Sequence, residues 1–211
     1  MSYSLEHLQL GPIEANCYVV TDNETKEIIV IDPGAYDQKL KDLLKGRLNK
    51  VKYILITHRH YDHLLGAAPL KEDTNAEVAI HEADALALSS FEISRSLIHG
   101  VKQTPIHADI LLKDKDVIKF GNAEIKVIHT PGHSAGGVCY LLDDMLFSGD
   151  TLFAGTMGRT DLPTSDRKTL INSLKSLSVL QFNGTVYPGH GEFTTLEKEK
   201  EWMSSPLLGI R

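Results

Sequence analysis

Residues 57–63 read Thr57-His58-Arg59-His60-Tyr61-Asp62-His63, which packs three imidazoles and a carboxylate into one short stretch. They follow directly on an apolar run, Val51-Lys52-Tyr53-Ile54-Leu55-Ile56, of strand length. A chain carrying this sequence must end a strand here and turn. His58 and His60, two apart, project to the same side of the strand end, and after the turn Asp62 and His63 point into an adjacent space. Imidazole nitrogen and carboxylate oxygen suit zinc, iron and manganese. One turn can therefore feed two neighbouring metal positions. The alternative, a polar surface turn with chance histidines, is weakened by further candidates at later strand ends.

Three later segments repeat the arrangement. Val127-Ile128-His129-Thr130-Pro131-Gly132-His133 closes an apolar run with a turn that presents His133, Leu146-Phe147-Ser148-Gly149-Asp150 presents Asp150, and Val186-Tyr187-Pro188-Gly189-His190 presents His190. A glycine beside each candidate allows close backbone approach. One zinc site needs three or four protein ligands. The candidates exceed that and divide into His58, His60, His133 and Asp62, His63, His190, with Asp150 shared. A shared carboxylate suits the short metal–metal spacing of two-metal hydrolases. The remaining histidines, His7, His81, His99, His107 and His129, lack this setting and read as structural or surface residues. Asp32, in Asp32-Pro33-Gly34, is either a turn residue or a carboxylate that orients a metal-bound histidine.

The rest of the chain reads as alternating strands and helices, an α+β layered arrangement. Strands are expected at Leu5–Leu10, Cys17–Thr21, Glu27–Ile31, Glu77–Ile80, Ile110–Lys113, Val117–Phe120, Glu124–His129, Val138–Leu142, Met145–Phe147 and Thr185–Tyr187. Leu40, Leu43, Leu44 and Leu48 share one helical face, and short helices are expected over Leu64–Glu72 and Ala83–Leu88. Ser165 reads as the N-cap of a helix with an apolar stripe of Leu170, Ile171, Leu174 and Leu177, and Leu196–Met203 as the last helix. Residues 89–109 are irregular. Phe91, Ile93, Leu97 and Ile98 suggest a short helix, and the segment flanks a substrate cleft or is a plain surface excursion. No linker interrupts the chain, so residues 1–211 are expected to form a single domain.

Composition bounds the function. A content of 42% hydrophobic and 24% charged residues describes a chain able to bury a substantial core, and a net charge of -6 gives no support to a nucleic-acid partner. No apolar run is long enough to span a membrane. Met1-Ser2-Tyr3-Ser4-Leu5-Glu6-His7 has neither the basic nor the apolar region of a signal peptide, so a cytoplasmic location is the expectation. Cys17 and Cys139 both lie in apolar strand-like segments and read as buried, reduced thiols.

In order and spacing, His58-x-His60-x-Asp62-His63, Thr130-Pro131-Gly132-His133, Gly149-Asp150-Thr151-Leu152-Phe153 and Pro188-Gly189-His190-Gly191 resemble the metallo-β-lactamase superfamily across essentially the whole chain. The resemblance implies a four-layer αββα sandwich with two divalent metal ions at one edge. Zinc is the favoured ion, with iron or manganese as alternatives. Asp150-Thr151-Leu152-Phe153 and Gly158-Arg159-Thr160-Asp161 are similar to the small glyoxalase II-like hydrolases of that superfamily. Larger members tend to place tyrosines where this chain has Arg159-Thr160-Asp161 and Gly191-Glu192-Phe193, which leaves glutathione recognition open. Arg159 either anchors an anionic substrate group or pairs with Asp161 to brace its loop.

The reaction this implies is metal-assisted hydrolysis of a small-molecule thioester, with metal binding lowering the pKa of water toward neutrality and Asp62 available to take a proton. A thiolate is a good leaving group, so no dedicated acid is required. Two rivals share the residues. A mononuclear iron persulfide dioxygenase needs only His58, His133 and Asp150, and a lactonase uses all the candidates. Zinc β-lactamases are set aside because they lack an aspartate at the position of Asp150.

Overall fold

The computed structural model describes residues 3–205; Met1 and Ser2, where the targeting-signal reading begins, lie outside them, as do residues 206–211. One sheet runs in spatial order through β1 (Tyr3–Leu10), β2 (Ala15–Asp22), β3 (Ile28–Ile31), β4 (Val51–Leu55), β5 (Glu77–His81) and β6 (Ile110–Leu112). β1, β2 and β3 pair antiparallel, while β3 to β6 run parallel. The second sheet contains β7 (Val117–Phe120), β8 (Ala123–His129), β9 (Val138–Leu142) and β10 (Met145–Gly149). A small hairpin of β11 (Leu152–Phe153) and β12 (Thr156–Met157) follows, and then β13 (Thr185–Pro188), which pairs parallel with β10 at the sheet edge.

The layers follow from side-chain alternation. In β2, Cys17 and Val19 enter one apolar cluster while Tyr18 and Val20 enter another. Ile28 and Val30 separate from Ile29 and Ile31 in the same way, as do Val78 and Ile80 from Ala79. The first set packs under α1 (Gln38–Leu43), α2 (Tyr61–Leu64) and α3 (Ala67–Thr74), through Leu40, Leu64 and Leu70. The second set meets Phe120, Ile125, Val127, Tyr140 and Phe147 of the facing sheet. On that sheet's outer face Cys139, Leu146 and Val186 meet Leu170, Leu174 and Leu177 of α4 (Arg167–Ser178) and Leu196 and Met203 of α5 (Leu196–Met203). Helix, sheet, sheet and helix thus enclose three apolar layers, the expected αββα sandwich. With both faces covered, the inner strands read as unbroken apolar runs. No helix among the described residues is long and apolar enough to cross a membrane.

Several local expectations are corrected. The leucine stripe starting at Leu40 does not form one helix, because α1 ends before Gly46 and Leu48 begins a separate 3-10 turn, Leu48–Lys50. The helix expected over Leu64–Glu72 is broken at Gly66, whose amide donates to the Pro33 carbonyl at 2.7 Å. A Cβ there would lie 2.6 Å from the Ala35 backbone, so only glycine lets the turn back onto that segment. Residues Glu82–Leu88 form a 3-10 rather than an α-helix. Phe91–Ile98 is a series of turns with no helix, since only Ile93 packs on the core while Phe91, Leu97 and Ile98 are exposed. The N-cap of α4 is Asp166, whose carboxylate accepts from the Thr169 amide at 2.7 Å, while the Ser165 hydroxyl donates to the His133 carbonyl at 2.6 Å. Cys17 and Cys139 are buried free thiols, as expected.

Leu174 is fully buried on the inner face of α4. Leu174→Ala is expected to cost about 2–5 kcal/mol of stability, read as a lower urea midpoint with an unchanged slope.

Candidate metal centre

All four candidate ligand segments leave the C-terminal ends of strands, β4, β8, β10 and β13, on one edge of the sandwich. Two buried tyrosines hold the sheets together there. Tyr18 donates across to the Pro188 carbonyl at 2.6 Å, and Tyr140 donates back to the Ile56 carbonyl at 2.8 Å. The parallel pairing of β10 with β13 sets Gly149 opposite Pro188, and the Gly189 amide donates to the Gly149 carbonyl at 2.8 Å. Asp150 and His190 are therefore delivered side by side. A Cβ on Gly189 would lie 2.2 Å from Asp150 Oδ1 and 2.8 Å from the His63 ring, so the backbone itself lines the site.

The structure brings His58, His60, Asp62, His63, His133, Asp150 and His190 together. Ligating atoms of His58, His60 and His133 lie within 4.8 Å of one another, as do those of Asp62, His63 and His190. Asp150 reaches both groups, at 3.5 Å from His133 Nε2, 3.4 Å from His63 Nε2 and 3.9 Å from His190 Nε2. Asp32, His58 and His63 form a third overlapping group, but its carboxylate is already occupied. Asp32 accepts from the Thr57 amide at 2.7 Å, the Thr57 hydroxyl at 2.6 Å and His63 Nδ1 at 3.0 Å.

These bonds fix the tautomers. The Thr57 hydroxyl spends its proton on Asp32, so it accepts from His58 Nδ1 at 3.0 Å, and His58 Nε2 is left with a lone pair. His63 Nδ1 donates to Asp32, which makes Nε2 the nitrogen that offers a lone pair once the ring is neutral. His133 Nδ1 donates to the Arg159 carbonyl at 2.8 Å, so His133 Nε2 faces His60 Nδ1, 2.9 Å away, as an acceptor. His58 Nε2, His60 Nε2, His63 Nε2 and Asp150 Oδ1 are buried without any hydrogen-bond partner. Asp62 Oδ2 lies only 3.0 Å from His63 Nε2, yet off the line an N–H would take. Interiors leave few polar atoms unsatisfied. Nitrogen lone pairs converging with carboxylate oxygens require a cation between them, and the donor set fits a metal ion.

Charge coupling agrees. Burial and the neighbouring imidazoles hold His58 well below its ordinary pKa, and burial with His133 lowers His60 to about 2. Burial opposes protonation of His63, but Asp62, Asp150 and Asp32 outweigh it and raise its pKa well above normal. Burial would raise Asp62, but His63 and His190 outweigh it and keep the carboxyl ionised.

Beside the ligands opens a cleft of about 590 Å³ whose lining includes Ile13, Phe153, Met157 and Leu162. Arg159 also lines it, but its guanidinium is held by Asp161 through two 2.7 Å bonds, the bracing arrangement. Sequence reasoning missed Tyr61, Arg95 and His99, which complete the wall. Tyr61 stood inside the opening motif without a ligating atom, and the other two belong to the irregular segment, which does flank the cleft. That segment is pinned to the ligand loop, because buried Arg59 donates to the Ile93 carbonyl at 2.6 and 3.0 Å and to Thr164 Oγ1 at 3.0 Å. On another side the Gly155 amide donates to Glu199 of α5 at 2.9 Å, fixing the β11–β12 hairpin.

Comparison with known proteins gives consistent findings. The family described as the metallo-beta-lactamase superfamily matches residues 10–190. A Haemophilus influenzae protein named hydroxyacylglutathione hydrolase GloC is 29% identical over 99% of each chain. Among solved structures, the BLEG-1 B3 metallo-beta-lactamase is 32% identical with a TM-score of 0.87, over 97% of this chain and 99% of that one. TTHA1623 in a di-iron-bound form is 35% identical with a TM-score of 0.80, over 92% of this chain and 96% of that one.

Asp32→Asn removes the charge that orients His63 and is expected to weaken metal affinity about 10–100-fold, measured by chelator competition with circular dichroism as the folding control. Metal must also displace the proton that His63 carries in the metal-free protein. Zinc titrations should therefore give weaker binding at about pH 6 than at about pH 8.

Proposed function

The chain belongs to the metallo-beta-lactamase superfamily, and from that premise we propose that it is a metal-dependent hydrolase that cleaves a small-molecule thioester with two divalent cations. The observation that carries this reading is the complete second group, Asp62, His63 and His190, beside the first, with Asp150 reaching both. A mononuclear iron dioxygenase would have no use for that group. Zinc and iron both suit the donors, and the di-iron form of the TTHA1623 relative keeps iron beside zinc.

Bound there, the cations would supply a water ionised near neutral pH and a Lewis acid for the carbonyl oxygen. The protein's part is positional. His58, His60 and His133 enter as neutral imidazoles with fixed tautomers, and Asp32 locks Thr57, His58 and His63 as one hydrogen-bonded unit. Asp62, which His63 and His190 hold ionised, brings a negative charge to the second group and stands where it could take a proton. Ile13, Phe153, Met157 and Leu162 give the substrate an apolar bed. The departing thiolate is a good leaving group and needs no acid. The GloC relative's name supports a hydroxyacylglutathione thioester as the first substrate to assay.

A second reading, hydrolysis of a β-lactam amide, is favoured by the likeness to BLEG-1. Thiol release from a lactoylglutathione thioester, nitrocefin hydrolysis and metal content, measured on one preparation, decide between them. Two equivalents of metal with thiol release are expected. One equivalent of iron with oxygen uptake on glutathione persulfide would sink the hydrolase reading. Asp150→Ala should abolish turnover, and His190→Ala should lose one metal equivalent together with most of the activity.

A further inference from the structure

Arg95 is the unexplained charge of the cleft. It lines the cavity beside His60, His133 and Asp150, and it is half-buried. Among the described residues no hydrogen bond or ion pair engages its guanidinium, whereas Arg159 on the same lining is neutralised by Asp161. Arg95 acts on Asp161, whose carboxylate is already paired with Arg159, and on the like-charged Arg59. A half-buried guanidinium with no direct ion pair is left able to take an anionic ligand.

The backbone is committed to this placement. Arg95 has φ +69°, a left-handed conformation that side chains with a Cβ rarely adopt. Its neighbours Ser94 and Ser96 are fully buried, and their hydroxyls converge on Gln103 Oε1 at 2.5 and 3.2 Å. The Gln103 amide donates in turn to the Ala87 and Leu88 carbonyls at 2.8 and 3.0 Å. The Tyr61 amide donates to the Ser94 carbonyl at 2.9 Å, which ties the turn to the helix carrying Asp62 and His63. His99, at the far end of the same turn, stacks on the Tyr61 ring with centroids 4.8 Å apart. The anchors lie on either side of Arg95, and the residue between them points its charge into the cleft.

We infer that Arg95 is the residue by which this protein binds a carboxylate of its substrate, so that the thioester it takes is anionic. The inference rests on the proposed hydrolase site and sharpens its substrate class. A guanidinium forks onto a carboxylate through two parallel N–H···O bonds, which a lysine does not reproduce. The carboxylate belongs either to the thiol half, as in glutathione, or to the acyl half.

Calorimetric binding of thioethers to the metal-loaded protein tests this without any turnover. The probes are S-methylglutathione, with carboxylates on the thiol side, S-carboxymethyl-N-acetylcysteamine, with one on the acyl side, and neutral S-ethyl-N-acetylcysteamine. Arg95→Ala and Arg95→Gly are expected to weaken one charged probe about tenfold, with Arg95→Lys intermediate and the neutral probe unchanged. The affected probe identifies the half that carries the carboxylate. Glycine adopts a positive φ freely, so Arg95→Gly should keep or raise the melting temperature while losing the binding, which a merely structural arginine would not do. The inference is overturned if wild-type protein does not prefer either charged probe to the neutral one, if the variants bind both charged probes like wild type, or if the neutral probe is weakened equally. Absence of thiol release with the binding difference intact would count against the thioesterase reading alone.

Discussion

The buried carboxylate of Asp32 is the fixed point of the site. It ends β3 in a left-handed conformation, φ +51°, and takes three hydrogen bonds, two from Thr57 and one from His63. Through Thr57 it also sets the proton of His58. One anion thus dictates which nitrogens of two histidines on either side of a turn keep their lone pairs. Remove its charge, and both rings are free to take the other tautomer, whatever the backbone does.

Around that point the sandwich works as a positioning device. The inner strands bury both faces, so they cannot slip without moving a whole apolar set into the wrong layer. Tyr18 and Tyr140 then transmit one sheet's register to the other at the edge where the ligands emerge. The stiffness that apolar packing gives the strands therefore reaches groups that lie on loops. Cation-binding residues scattered from His58 to His190 can meet within a few ångströms because the elements beneath them leave little choice.

How much of this was legible in the sequence depends on range. Strand positions and the division of Val19 from Val20 follow a period of two, and the candidate ligands sit beside glycines at strand ends, so local reading finds them. Ser165 and Asp166 can both cap a helix by residue type, and only the packing of the His133 turn assigns the serine elsewhere. The turns over Phe91–Ile98 imitate a helical stripe, yet their conformation is set by Gln103, Arg59 and Tyr61, partners that no periodicity announces. Arg95 was invisible for the same reason. A cleft wall is made of residues from segments far apart in the chain, and its composition becomes readable only when the fold has brought them together.

Arg59 has a consequence beyond holding a loop. Its backbone sits between two candidate ligands, its amide donates to buried Asp84, and its guanidinium spans from Ile93 to Thr164. Two banks of the cleft are thereby joined by an object of fixed length, while Glu199 fastens the hairpin on another side. A mouth braced in this way can close only by breaking these bonds. Bulk solvent is then displaced where a guest's surface meets Phe153, Met157 and Leu162, and a molecule that fills the mouth poorly is wetter while bound.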